Sequence, residues 1–280
     1  MDTILDRLKS VAAGSRRLAR QLEAYRRLLE APVDNAIRRR EELEAVGRLV
    51  DGLPEGALRT ELRHWLKEEE ARVEQARDEL RFRFGARLGE SFAAAGIPLR
   101  GQLPLLRSGL FSLRVDFETG SAALFWGPEV ERLASDIELS PDELLRAVTG
   151  AGRELAGASV EPDRLIRRLS EGYGRACAAR GIAPGERVLL LDVLAELVFL
   201  MQPKSFRADP SRRRFAEYPR VQFSHDLYRL RSSPAAVPGL RLHVANFDAT
   251  TDRVRALWVP DNEQGDGTYY SYISFSKGGQ

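Results

Sequence analysis

Four lysines stand against 39 arginines in this chain, and cysteine occurs once, histidine three times and methionine twice in 280 residues. Each scarcity excludes something. One cysteine, Cys177, allows no intrachain disulfide and no thiolate metal cluster, and its place at helical spacing among apolar residues reads as a small core residue. The histidines His64, His225 and His243 show no HxxxH or HExxH spacing, so the sequence carries no metal or cofactor signature. No GxxxxGK[ST] phosphate loop is present. "GYGRACAARG" (172–181) is not a dinucleotide fingerprint. The most apolar segment, Val188 to Met201, is too short to span a bilayer and is broken by Asp192 and Glu196. The opening MDTILDRLKS lacks an apolar run, so a cytoplasmic setting is expected. The preference for arginine fits a GC-rich, bacterial coding genome as readily as a binding role.

Charge is nearly balanced, 43 basic against 41 acidic residues for a net of +2, but it is unevenly spread. Residues 201–235 hold eight basic groups against three acidic ones, a local excess of five. The basic residues are Lys204, Arg207, Arg212, Arg213, Arg214, Arg220, Arg229 and Arg231. Phe215, Tyr218 and Phe223 are interleaved with them. Arginines grip phosphates bidentately and aromatics stack on unpaired bases, so the run is a candidate DNA- or RNA-contacting surface.

The first ninety residues carry a helical repeat. Ile4, Leu8, Val11, Ser15, Leu18, Leu22, Tyr25 and Leu29 step alternately by four and three, an apolar seam broken at Ser15. The seven apolar members are expected to bind a partner, by self-association or by docking another protein. Pro32 and the "DGLPEG" break at 51–56 divide residues 1–90 into successive helices, near 33–50 and 57–89. The result is a coiled-coil-like arm.

The rest is mixed. "GIPLRGQLPLLRSG" reads as a loop, and "LFSLRVDFETGSAALFW" as a β-hairpin alternating Phe111, Leu113, Val115 and Phe117 with polar residues. Helices are expected at "GPEVERLA", at "SPDELLRAV", over about 162–180 and over 186–202. "LRLHVANF", "RVRALWVP" and "TYYSYISF" predict a carboxy-terminal three-stranded meander. The fold class is therefore α+β, predominantly helical. Its parts are an arm (1–90), a hairpin-plus-helices region (96–157) and a helical core with the meander (158–280), the last two alternatively forming one domain. A helix followed by a ribbon resembles the winged-helix arrangement in outline.

Contiguous Ser224-His225-Asp226 invites a catalytic reading, but neighbours on a helix point about 100° apart and cannot form a hydrogen-bonded line. The expectation is a helix start with Ser224 as N-cap, Asp226 in the first turn and Phe223 stapled against Tyr228. Asp116 and Glu118 lack the acidic-x-Lys strand of a metal nuclease and read as a solvent face. Asp192 and Glu196 share a helix face and are expected to pair with arginine or meet water. The functional expectation is a non-enzymatic subunit of a bacterial cytoplasmic complex with a docking arm and a nucleic-acid surface, and no cofactor. The alternatives are a protein-only adaptor whose arginines meet an acidic partner, and a hydrolase or nuclease using His225 with Asp248, or Asp192 with Glu196.

Overall fold

The computed structural model describes residues 1–233 and 239–276, the side chains of Asp2 and Arg7 excepted. It is α+β and predominantly helical, and it divides into two compact units.

The first unit holds α1 (Asp2–Leu28), α2 (Ala36–Asp51) and α3 (Ala57–Ala94), together with residues 115–121 and 138–142. Pro32 and the 51–56 break separate the helices where the sequence predicts. Leu18 and Tyr25 of α1 pack with Leu43, Val46 and Val50 of α2 and Leu66 and Val73 of α3. The heptad seam therefore does not run as one surface. Leu18, Leu22 and Tyr25 are consumed inside this bundle, whereas Ile4 and Leu8 are 65% and 62% exposed and Val11 and Leu29 are also open. The reason is the extent of the core: its α1 members are Leu18, Leu22 and Tyr25, and the apolar residues before Ser15 have no place in it.

The bundle also buries a charged pair. Arg39 donates to Glu69 at 2.7 Å, Tyr25 OH donates to the same carboxylate at 2.8 Å, and Arg72 adds a third bond at 2.8 Å. Burial alone would raise Glu69, but the bonds from Tyr25, Arg39 and Arg72 outweigh it and hold the carboxyl below its ordinary range. Glu118, expected on a strand's solvent face, lies in the turn and takes hydrogen bonds from Arg40, Arg77 and Arg81. Phe117 stacks edge-on against Phe84 at 5.7 Å. Asp116 accepts from the backbone N–H groups of Glu118 and Thr119, which closes that turn.

The second unit spans 97–114, 122–137 and 143–280. Its first sheet is β1 (Arg100–Gln102), β2 (Leu105–Ser108), β3 (Phe111–Asp116), β4 (Ser121–Trp126) and β5 (Glu131–Glu138), in sequential order, β3 and β4 turning through 115–121. Two expectations are corrected here. The stretch read as a loop forms the β1–β2 hairpin, with Arg100 opposite Arg107. "GPEVERLA", read as a helix, is a tight turn leading into β5, because Gly127 and Glu129 adopt φ of 61° and 59°, which no right-handed helix can start from.

After β5 come α4 (Pro141–Ala158), α5 (Pro162–Arg180), β6 (Val188–Leu189), α6 (Leu190–Leu200), α7 (Lys204–Ala208), a 3-10 turn (Arg212–Arg214), α8 (Arg220–Ser232), β7 (Leu240–Val244), α9 (Phe247–Thr250), β8 (Leu257–Pro260) and β9 (Gly267–Phe275). The three carboxy-terminal strands form as expected, but not as a meander. β9 is central, with β7 on one edge and β8 and β6 also paired to it. Its nine residues are long enough to pair at both ends, and Tyr270 and Ile273 face the core. That core joins Leu165, Leu169 and Cys177 of α5, Val193 and Leu197 of α6, and Phe223 and Leu227 of α8. Among the described residues no helix is long and apolar enough to cross a membrane.

Removing one member of the bundle's buried pair strands the other. Glu69→Ala is expected to destabilise the protein by about 3–5 kcal/mol in urea unfolding, because it leaves the Arg39 guanidinium buried without its carboxylate. Glu118→Ala, at an exposed carboxylate, is expected to change stability far less.

Candidate polyanion-binding surface

The segment from 201 to 219 is punctuated by Pro203, Pro210 and Pro219, so it cannot continue α6 as one helix. It is nonetheless held in place. Buried Gln202 donates to Val198 O (2.8 Å) and Ala216 O (2.9 Å) and accepts from Ala216 N (2.9 Å). Phe206 meets Phe215 at 5.5 Å, and Arg214 pairs with Asp209 at 2.9 Å. These ties present the basic residues on an ordered strap.

The eight basic residues divide. Lys204, Arg207, Arg212 and Arg213 are exposed, and none has a carboxylate within 4.0 Å among the described residues. Arg207 donates to Leu200 O at 3.2 Å, which aims it back along α6. Arg214 is neutralised by Asp209. Arg220 is structural, pairing with Glu131 at 3.0 Å and donating to Ala256 O at 2.9 Å. Arg231 pairs with Asp261 at 2.9 Å and lies 5.4 Å from the Tyr270 ring. Arg229 is half-buried beside His225. The interleaved aromatics are mostly unavailable for stacking: Tyr218 and Phe223 are core residues, and Phe215 is engaged by Phe206.

Sequence reasoning missed two members. Arg164 and Arg168 stand four apart on α5, hence on one face. Arg168 is half-buried; burial first, then the charges of Arg164 and Arg207, hold its guanidinium below the ordinary value against a weaker pull from Glu171. Arginines from α5 and α7 thus gather with no ion-paired carboxylate among them. The i, i+4 spacing was legible, but which element faced it was not.

α8 overturns both readings of the Ser-His-Asp run. The helix begins at Arg220 after Pro219, so Ser224 is mid-helix and not an N-cap. Ser224 is buried, accepts from Trp126 Nε1–H at 3.0 Å and donates to Trp258 O at 2.5 Å. Asp226 is buried and accepts from Tyr218 OH (2.7 Å), Gln222 Nε2 (3.1 Å) and Val160 N (3.3 Å). Burial, then the Asp226 charge, drives Tyr218 strongly upward, so it stays a phenol and a donor. Phe223 packs into the core and not as a staple.

His225 Nδ1 meets Ser159 Oγ at 3.1 Å, and Asp226 Oδ1 lies 3.9 Å from the same nitrogen. A relay needs the hydroxyl and the carboxylate on opposite ring nitrogens. This arrangement cannot run one. Asp248 is exposed on α9 and shares no hydrogen bond with His225. Asp192 pairs with Arg180 at 2.8 Å. His64 is exposed beside Glu68, and His243 Nε2 meets Ser274 Oγ at 2.8 Å. Among the described residues no group of three His, Cys, Asp or Glu side chains is placed to hold a metal. Nor can α8 serve as a groove-reading helix of the winged-helix kind, since every residue from Val221 to Leu230 is buried or half-buried.

No protein-family model matches the chain, and no curated protein and no solved structure is significantly similar to it.

Burial pushes His225 below its ordinary value, Arg229 adds to the effect and Asp226 opposes it. The unfolded chain therefore takes up this proton first, and stability present above about pH 6.5 falls as pH drops from there toward the folded value. His225→Gln should flatten that part of a stability–pH profile measured by urea unfolding. Ser224→Ala, which leaves the Trp126 N–H without an acceptor, should cost about 1–3 kcal/mol at any pH.

Proposed function

We propose that the chain is a non-enzymatic subunit that grips nucleic-acid backbone through Lys204, Arg207, Arg212 and Arg213, joined by Arg164 and Arg168. The observation that carries this reading is the gathering of Arg164, Arg168 and Arg207, none of them ion-paired among the described residues, with Glu171 nearby but itself paired to Arg175. Like charges so placed repel one another, and a phosphate relieves the repulsion while offering bidentate acceptors. With Tyr218 and Phe223 in the core, the surface favours phosphates over splayed bases, so duplex and single strand should bind with little sequence preference. The open stripe of Ile4, Leu8 and Val11 supports a docking role for the start of α1, since exposed apolar residues at heptad spacing are what a partner helix packs against.

Titration of labelled duplex DNA and RNA across a salt series tests the first part. Six contributing cations predict a steep fall in affinity between about 50 and 200 mM salt. Arg168→Ala and Arg207→Ala should each lower the slope of log K against log salt by about one. Arg231→Ala, at an arginine engaged by Asp261, should leave the slope unchanged while weakening the fold. A salt-independent response in all variants would remove the nucleic-acid reading. The adaptor reading would then stand on α1 alone, where Leu8→Glu should abolish association in sedimentation without loss of helix.

A further inference from the structure

A large cavity lies in the second unit, bordered by Glu217 and Pro219 at the end of the strap segment. It is a groove of about 930 Å3 between α4, β5 and the start of α8. We propose that this groove binds an extended peptide, seated as an added strand on the free edge of β5.

The first support is the edge itself. β5 ends the five-stranded sheet, so among the described residues it pairs only with β4 and its other edge offers unpaired main-chain groups. A groove touching one face of a strand is lined by alternate residues, because side chains alternate in direction. Here four consecutive residues, Glu131, Arg132, Leu133 and Ala134, line it, so it meets the strand edge-on. Asp136, whose φ of 56° departs from extended backbone, kinks the strand within its span of Glu131–Glu138. That leaves about five residues of usable edge.

The second support is the opposite wall. α4 turns Leu144 and Val148 into the core, while Ala147, Gly150, Ala151 and Ala158 border the groove. These small side chains keep the wall back, and a Cβ built on Gly150 would meet no atom within 4 Å. Along α4 the groove runs from Glu143 to Ala158, about 22 Å at 1.5 Å per residue. Along β5 it runs from Glu131 to Ile137, about 20 Å at 3.3 Å per residue. Both walls match an extended segment of about six residues.

The third support is charge. Glu131 is paired with Arg220 at 3.0 Å and Glu143 with Arg146 at 2.5 Å, so much of the rim is neutralised internally. Leu124, Leu133, Ile137, Leu155 and Val221 make the interior apolar. Such a site recognises main chain plus alternate apolar side chains, which is how strand addition works. A helical occupant would satisfy its own main chain and leave the β5 edge unpaired.

Panning a phage library of random seven-residue peptides on the full chain, followed by anisotropy titration of the synthesised winner, tests this. The expected winner alternates apolar and polar residues. Gly150→Leu, a favourable change for the helix itself, should fill the groove and weaken it at least about tenfold. N-methylation at one alternate set of its residues should weaken binding about tenfold and at the other set should not, since only every second residue pairs with β5. Failure to enrich any peptide would overturn the proposal. So would a winner indifferent to Gly150→Leu or to both methylated sets, or one that binds as a helix by circular dichroism. A full-chain dimer that Gly150→Leu dissociates would assign the groove to a second copy instead. None of these outcomes depends on the arginine surface.

Discussion

Ser224 lies where the second unit's two sheets are locked together. Its hydroxyl accepts from the indole of Trp126, at the end of β4, and donates to the backbone of Trp258, in β8. The two indole rings meet edge to face at 5.7 Å, and the places where Gly127 and Gly267 would carry a Cβ are taken by the Trp258 ring. A side chain at either glycine would displace that ring. The interlock requires a helix between the strands, which is why α8 is buried or half-buried from Val221 to Leu230 and why Gln222, Ser224 and Asp226 find partners inside. A buried polar atom left unpaired is costly, and each of Ser224, Gln222 and Asp226 carries a bond that fixes orientation.

From that constraint follows the character of the candidate surface. With Tyr218, Phe223 and Asp226 committed to the interior, the basic run can present only what lies before α8: the strap of Lys204, Arg207, Arg212 and Arg213. Arg220 and Arg231 serve as internal ties to Glu131 and Asp261. The local excess of positive charge is therefore smaller on the surface than in the sequence. It is restored by Arg164 and Arg168, which enter from another helix.

The helical unit obeys the same rule with different chemistry. Its core closes around Tyr25, Arg39 and Glu69, a charged pair withdrawn from water and satisfied by neighbouring donors. An apolar seam that looks uniform along α1 is thereby split into a half that folds the protein and a half left open.

Spacing and punctuation in the sequence determined the helices of the first unit, the limits of α5 at Pro162 and Gly181, the strands of the tail and the core place of Cys177. These are local matters, set by hydrogen-bond geometry, proline and glycine punctuation and the 3.6- or 2-residue spacing of apolar side chains. Tertiary structure decided the rest. It placed β9 at the centre, because strand order depends on which faces can be buried together. It made "GPEVERLA" a turn and a strand, because two left-handed residues override a helix-like composition. It also turned Ser224-His225-Asp226 from a helix start into a buried hub, because only the approach of Trp126 and Trp258 from distant strands gives that hydroxyl its partners.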